Sequence, residues 1–157
     1  MDVITMPSTT SLLKRVKNDY PQFVFKKSTG FSWSQAENTV NYTSGGENSV
    51  FLLHELSHGL LGHADYSRDI ELIAMEREAW DKAEELATKY GIPLDDNFIQ
   101  STLDTYRDWL HSRSTCPKCT ATGLQTDVKA YKCLACGQSW RVNEARTCAL
   151  RRYGLNS

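Results

Sequence analysis

Val50-Phe51-Leu52-Leu53-His54-Glu55-Leu56-Ser57-His58-Gly59-Leu60-Leu61-Gly62-His63 is apolar almost throughout, yet it carries three histidines and a glutamate. The run predicts a buried helix that Gly62 would stop. Unpartnered polar groups cost a few kcal/mol each inside a protein, so a buried helix seldom carries His54, Glu55 and His58 without a task. Residues four apart project from one face of a helix, so His54 and His58 can grip one ion, and H-E-x-x-H on a helix is the spacing that does so. Zinc suits two neutral imidazoles, leaving room for a third protein ligand and a water from which Glu55 can take a proton as general base. The elongated pattern H-E-x-x-H-x-x-G-x-x-H would need Gly at position 61 and His at position 64; Leu61 and Ala64 stand there instead, so the third ligand must come from elsewhere.

A second helix is expected over about 68–90, closed by Gly91-Ile92-Pro93, and it offers Glu71, Glu76 and Glu78. At about 100° per residue, Glu76 falls in one row with Leu72, Ala79 and Ala83, inside an apolar stripe that includes Met75, Leu86 and Tyr90. Glu78 falls with Glu71, Ala74, Lys82 and Glu85 on the polar side. A carboxylate turned toward a core needs a partner, and a metal on the facing helix would supply one. Glu76 is therefore the expected third ligand, with Glu78 as its substitute should the helix phase differ.

HELSHGLLGH followed by EREAWDKAEELATKYGIP, within residues 36–93, resembles the ImmA/IrrE-type zinc metallopeptidases, a compact gluzincin group. These pair an H-E-x-x-H helix with a following helix of the form E-x-x-A-[ND]-x-x-A. The resemblance implies His54, His58 and Glu76 as ligands, Glu55 as base, and Ala79 and Ala83 as packing residues. Trp80 stands where the family usually has Asn or Asp, so any orienting role of that polar residue must be met otherwise. The resemblance also implies that the strand before the active helix, here Thr39 to Thr43, lies at a sheet edge where an extended substrate adds as a further strand.

Cys116-Pro117-Lys118-Cys119 and Cys133-Leu134-Ala135-Cys136-Gly137 form two C-x-x-C knuckles whose turns can aim four thiolates at one structural zinc. Four thiolates close the coordination sphere, and such a segment is too short to build a core without its metal. Cys148 lies outside both knuckles, in an expected helix NEARTCALRRYG, and reads as an unpaired thiol.

The 157 residues are 40% apolar and 24% charged, so the chain can build a core and is not a disordered linker. No run approaches the roughly 18–20 apolar residues of a membrane span, and the start lacks a secretory pattern, so a cytoplasmic address without membrane partners is expected. Charge divides the chain: residues 1–112 hold 10 basic and 17 acidic side chains, whereas residues 113–157 hold 8 and 2. The expected class is α+β. Residues 1–112 would form a small zincin-like metallopeptidase domain: an N-terminal helix, a short antiparallel or mixed sheet with strands near Phe23–Phe25 and Thr39–Tyr42, the H-E-x-x-H helix, the Glu-bearing helix, and a further helix over about 95–112. Residues 113–157 would form a small β zinc ribbon with a C-terminal helix.

The function this implies is a zinc-dependent endopeptidase acting on a protein or peptide, with one catalytic and one structural zinc. The alternative is a zinc-stabilised binding module that contacts nucleic acid or a protein through Lys118, Lys129, Lys132, Arg141, Arg146, Arg151 and Arg152. A metallopeptidase followed by a zinc ribbon is also similar in layout to SprT-type proteases associated with DNA, whose third ligand is a later His; His111 is the one available.

Overall fold

Helical spacing sets the first element. The computed structural model describes residues 9–44 and 49–143 and the strand at 152–155, and in it helix α1 (Thr9–Asp19) buries Leu12 and Val16, four apart on one face. Three short strands follow: β1 (Val24–Lys27), β2 (Ser32–Ser34) and β3 (Thr39–Tyr42). They form one mixed sheet in the order β1-β3-β2, with β1 parallel and β2 antiparallel to β3.

This order corrects the expected placement of the strand before the H-E-x-x-H helix. Thr39–Tyr42 is the central strand, hydrogen-bonded on both sides, and cannot accept a further strand. The cause is β2, which the sequence conceals: two serines flank its single apolar residue, Trp33, so no β-branched run announces it. Asn38 turns the chain back into β3 with a positive φ of 52°.

Helix α2 (Ser49–Leu60) buries Leu52, Leu53 and Leu56 completely, and His54, Ser57 and His58 lie buried beside them. Gly62 ends it with φ of 68°; its amide donates to the Gly59 carbonyl, and the His63 amide donates to the His58 carbonyl at 3.0 Å. This glycine-centred cap returns the chain beneath the last helical turn. Helix α3 (Asp69–Tyr90) ends the same way at Gly91, where the Ile92 amide donates to the Ala87 carbonyl. Ala79, Trp80, Ala83, Leu86, Ala87 and Tyr90 form its buried stripe. Helix α4 (Asp96–Ser114) buries Ile99, Leu103 and Trp109.

Four strands complete the chain: β4 (Leu124–Asp127), β5 (Ala130–Lys132), β6 (Ser139–Val142) and β7 (Arg152–Leu155). They pair antiparallel in sequence order. Arg152–Leu155 is thus a strand, where a C-terminal helix was expected; pairing with β6 overrides the local helical pattern. The rest of that expected helix, with Cys148, lies outside the described residues.

The chain groups into two units, Met1–Ala64 with Met75–Asp96, and Asp65–Ala74 with Asn97–Ser157. The first contains α1, the mixed sheet, α2 and most of α3. The second contains the first turns of α3, nearly all of α4 and the four-stranded sheet. Both helices and strands contribute throughout, giving an α+β protein. Among the described residues no helix is long and apolar enough to cross a membrane.

Candidate metal centres

Four-residue spacing on α2 brings the imidazoles of His54 and His58 together, with their Nε2 atoms 3.1 Å apart. Glu76, on α3, completes a triangle. Its Oε2 lies 2.9 Å from His54 Nε2 and its Oε1 lies 3.1 Å from His58 Nε2. All three residues are buried, each less than a tenth exposed. Glu78 takes no part and its side chain is 62% exposed, as the helical phase required.

The three groups converge on a point more than they bond to one another. Despite its short approach to His54, Glu76 Oε2 makes no properly directed hydrogen bond among the described residues. Two imidazole nitrogens and a carboxylate at such separations need positive charge between them, supplied by protons or by a cation. His54, His58 and Glu76 can therefore hold a metal ion. Burial would raise the Glu76 carboxyl, but attraction from the His54 and His58 imidazoles outweighs it and holds the pKa at about 2. The carboxylate is accordingly kept ionised, the form that binds metal.

Glu55 is half-buried next to this triangle in sequence. Desolvation raises its pKa above the ordinary carboxyl value; the His54 and His58 imidazoles oppose that rise and the Glu76 charge adds to it. A carboxylate raised in this way is a better proton acceptor than one in water.

Other residues around the triangle were not anticipated in these roles. The indole of Trp80 stacks on the imidazole of His54, with centroids 4.1 Å apart and planes at 22°. His63, one residue short of the histidine position in the elongated pattern, lies with Nδ1 2.9 Å from His58 Nδ1 and Nε2 2.9 Å from Glu78 Oε2. Trp33 of β2 donates from Nε1 to the His63 carbonyl at 3.0 Å. Its ring passes so close to Gly59 that a Cβ there would meet it at 3.0 Å, so a larger residue at this position needs the indole to shift by a few tenths of an ångström.

The second centre is the cysteine quartet. Cys116 and Cys136 Sγ lie 3.6 Å apart, and Cys119 and Cys133 Sγ lie 3.5 Å apart, so these are thiols and not disulfides. Together they can hold one metal ion. Each knuckle ends at a residue of positive φ, Thr120 at 66° and Gly137 at 79°, whose amide returns to the carbonyl of the first cysteine. The Lys118 and Cys136 amides donate to Cys116 Sγ and Cys133 Sγ, both at 3.4 Å. Desolvation opposes ionisation of Cys116, but the backbone amides of Cys119 and Lys118 prevail and lower its pKa to about 6.

A buried polar cluster in the same unit went unread in the sequence. Asp69, 2% exposed, accepts a hydrogen bond from Arg113 Nε at 2.7 Å and a short one from the Tyr131 hydroxyl. Stacked Tyr131 and Trp140 join Cys116, Cys133 and Val142 in the small core beside the quartet.

No family model matches the chain, and no curated protein and no solved structure matches it either.

Proposed function

We propose that this protein is a zinc-dependent endopeptidase of the ImmA/IrrE type carrying a structural zinc ribbon. The observation that carries the proposal is the buried triangle of His54, His58 and Glu76 with Glu55 as neighbour. Its donor set, two imidazoles and one carboxylate, is the three-ligand type that zinc hydrolases use, leaving a fourth position for the reaction. With zinc–ligand bonds of about 2.0–2.1 Å, tetrahedral ligands stand about 3.3 Å apart, close to the separations seen here. Zinc held there would polarise the scissile carbonyl and acidify water.

The chain's own residues supply the rest. Glu55, with its raised pKa, takes the proton from the attacking water and delivers it to the leaving amine. Glu76 and the two histidines stay fixed by burial, so little reorganisation accompanies the reaction. With β3 paired on both sides, an extended substrate would add to the outer edge of β2, which pairs only with β3 among the described residues and packs against α2.

The quartet supplies structural zinc, since four thiolates leave no open position. A second reading makes this unit a nucleic-acid contact. It is favoured by Lys132 and Arg141, which share the exposed face of β5 and β6 opposite buried Tyr131 and Trp140.

Glu55→Gln separates the two readings. Under the peptidase reading it keeps zinc content and folding yet abolishes cleavage of a protein that the wild type cuts. Under the binding reading neither form cleaves, and DNA affinity falls steeply with salt in both.

A further inference from the structure

We infer that His63 and Glu78 form a hydrogen-bonded relay that positions the His58 imidazole for metal binding. The inference rests on the metal reading of the His54, His58 and Glu76 triangle.

Bond polarity carries the argument. His58 presents Nε2 to the triangle, 3.1 Å from both His54 Nε2 and Glu76 Oε1. A nitrogen that gives its lone pair to a metal bears no proton, so the His58 proton must sit on Nδ1. Nδ1 then donates to His63 Nδ1, 2.9 Å away. Once His63 accepts there, its own proton sits on Nε2, which donates to Glu78 Oε2 at 2.9 Å. Every donor meets an acceptor, both imidazoles stay neutral, and the chain ends on a carboxylate whose negative charge strengthens the relay. Any other placement of the His58 proton leaves Nε2 unable to bind a metal. The relay thus fixes both tautomer and ring plane, the task that a hydrogen-bonded partner of a metal-bound histidine performs.

The fold places His63 by backbone and not by chance contact. The cap at Gly62 reverses the chain, the His63 amide is held by the His58 carbonyl, and the His63 carbonyl is held by Trp33 Nε1. Two residues beyond Glu76 on α3, Glu78 reaches His63 from the polar side of the helix. This explains a conspicuous asymmetry. His58 has a polar partner on its outer nitrogen, while His54 Nδ1 is buried with none among the described residues and its ring stacks on the Trp80 indole. His63 and Glu78 are positioning residues and do not touch the ion.

The test measures zinc affinity by chelator competition in the intact chain, with thermal melting as a folding control. His63→Leu is expected to weaken the affinity of the first site about tenfold to a hundredfold and leave the cysteine site unchanged. His63→Gln, whose amide can accept from His58 and donate to Glu78, should recover most of that loss. A long-range 1H–15N spectrum of zinc-loaded wild type should show His58 protonated on Nδ1 and His63 on Nε2, a readout independent of whether any variant folds. Wild-type affinity in His63→Leu, equal losses in the Leu and Gln variants, or a His63 protonated on Nδ1 would overturn the relay while leaving the metal reading intact; a His58 protonated on Nε2 would overturn both. A wild type that binds no second zinc would sink the metal reading itself.

Discussion

The indole of Trp80 lies nearly parallel to the imidazole of His54, with ring centroids 4.1 Å apart, and both side chains are buried. A polar residue at position 80 could hold His54 through Nδ1; the tryptophan holds the ring by its face instead. The His54 imidazole is oriented by packing, and the indole ring also lies 6.4 Å from that of Phe51 on α2.

Removing that ring should affect stability and metal together. Trp80→Ala is expected to cost about 3–5 kcal/mol, the usual range for a large aromatic deleted from a core. It should also weaken zinc retention at His54, His58 and Glu76. Trp80→Phe should keep most of both. Urea unfolding with parallel zinc competition measures the pair; an alanine variant as stable as wild type would show that the stacking contributes nothing.

Asp69 and Arg113 form a buried pair in the second unit, with the Tyr131 hydroxyl as a further donor to the carboxylate. Asp69→Ala leaves the guanidinium buried without its counter-charge and should cost about 3–5 kcal/mol. Replacing both residues with apolar ones of similar size should cost much less, because no charge is then left stranded. Denaturant melts of the two single variants and the double variant give the comparison. A double variant as unstable as the sum of the singles would refute a coupled pair.

Acid stability should have a component traceable to α1. The Tyr90 hydroxyl donates to Asp19 at 2.6 Å; this hydrogen bond, followed by Lys89 and Arg15, lowers the Asp19 pKa below 3.8 against a smaller desolvation effect. A depressed carboxyl contributes stability that is present above the unfolded value and lost as pH falls through the folded one. Wild type should therefore lose part of its stability below about pH 3.8, and Asp19→Asn should lose that part at neutral pH and show a flatter acid limb. Melting curves from pH 2 to 7 check this; identical slopes in both proteins would exclude it.

Much of the candidate metal site was legible because it is written in periodic positions. Four-residue spacing paired His54 with His58, and the phase of α3 separated buried Glu76 from exposed Glu78. The knuckles were legible because two x-x spacings leave few other uses for four cysteines. What stayed hidden depends on contacts between distant residues. Strand β2 is three residues long and flanked by serine, so only pairing with β3 makes it a strand, and that pairing moved Thr39–Tyr42 from the edge to the centre. His63 failed as a ligand by spacing, and its link to Glu78 spans fifteen residues of chain. The one signal available was its place directly after Gly62, where a glycine cap turns the chain back. Asp69 reads as an ordinary helix-start acid; its burial against Arg113 and Tyr131 follows from partners 44 and 62 residues away.

The most direct measurement is anomalous scattering at the zinc edge from crystals grown with zinc. Two peaks per chain are expected, one about 2.0–2.1 Å from His54 Nε2, His58 Nε2 and a Glu76 oxygen with solvent in its remaining position, the other about 2.3 Å from four cysteine sulfurs. A peak among the sulfurs alone, with nothing between the two histidines and Glu76 at saturating zinc, would contradict a metallopeptidase.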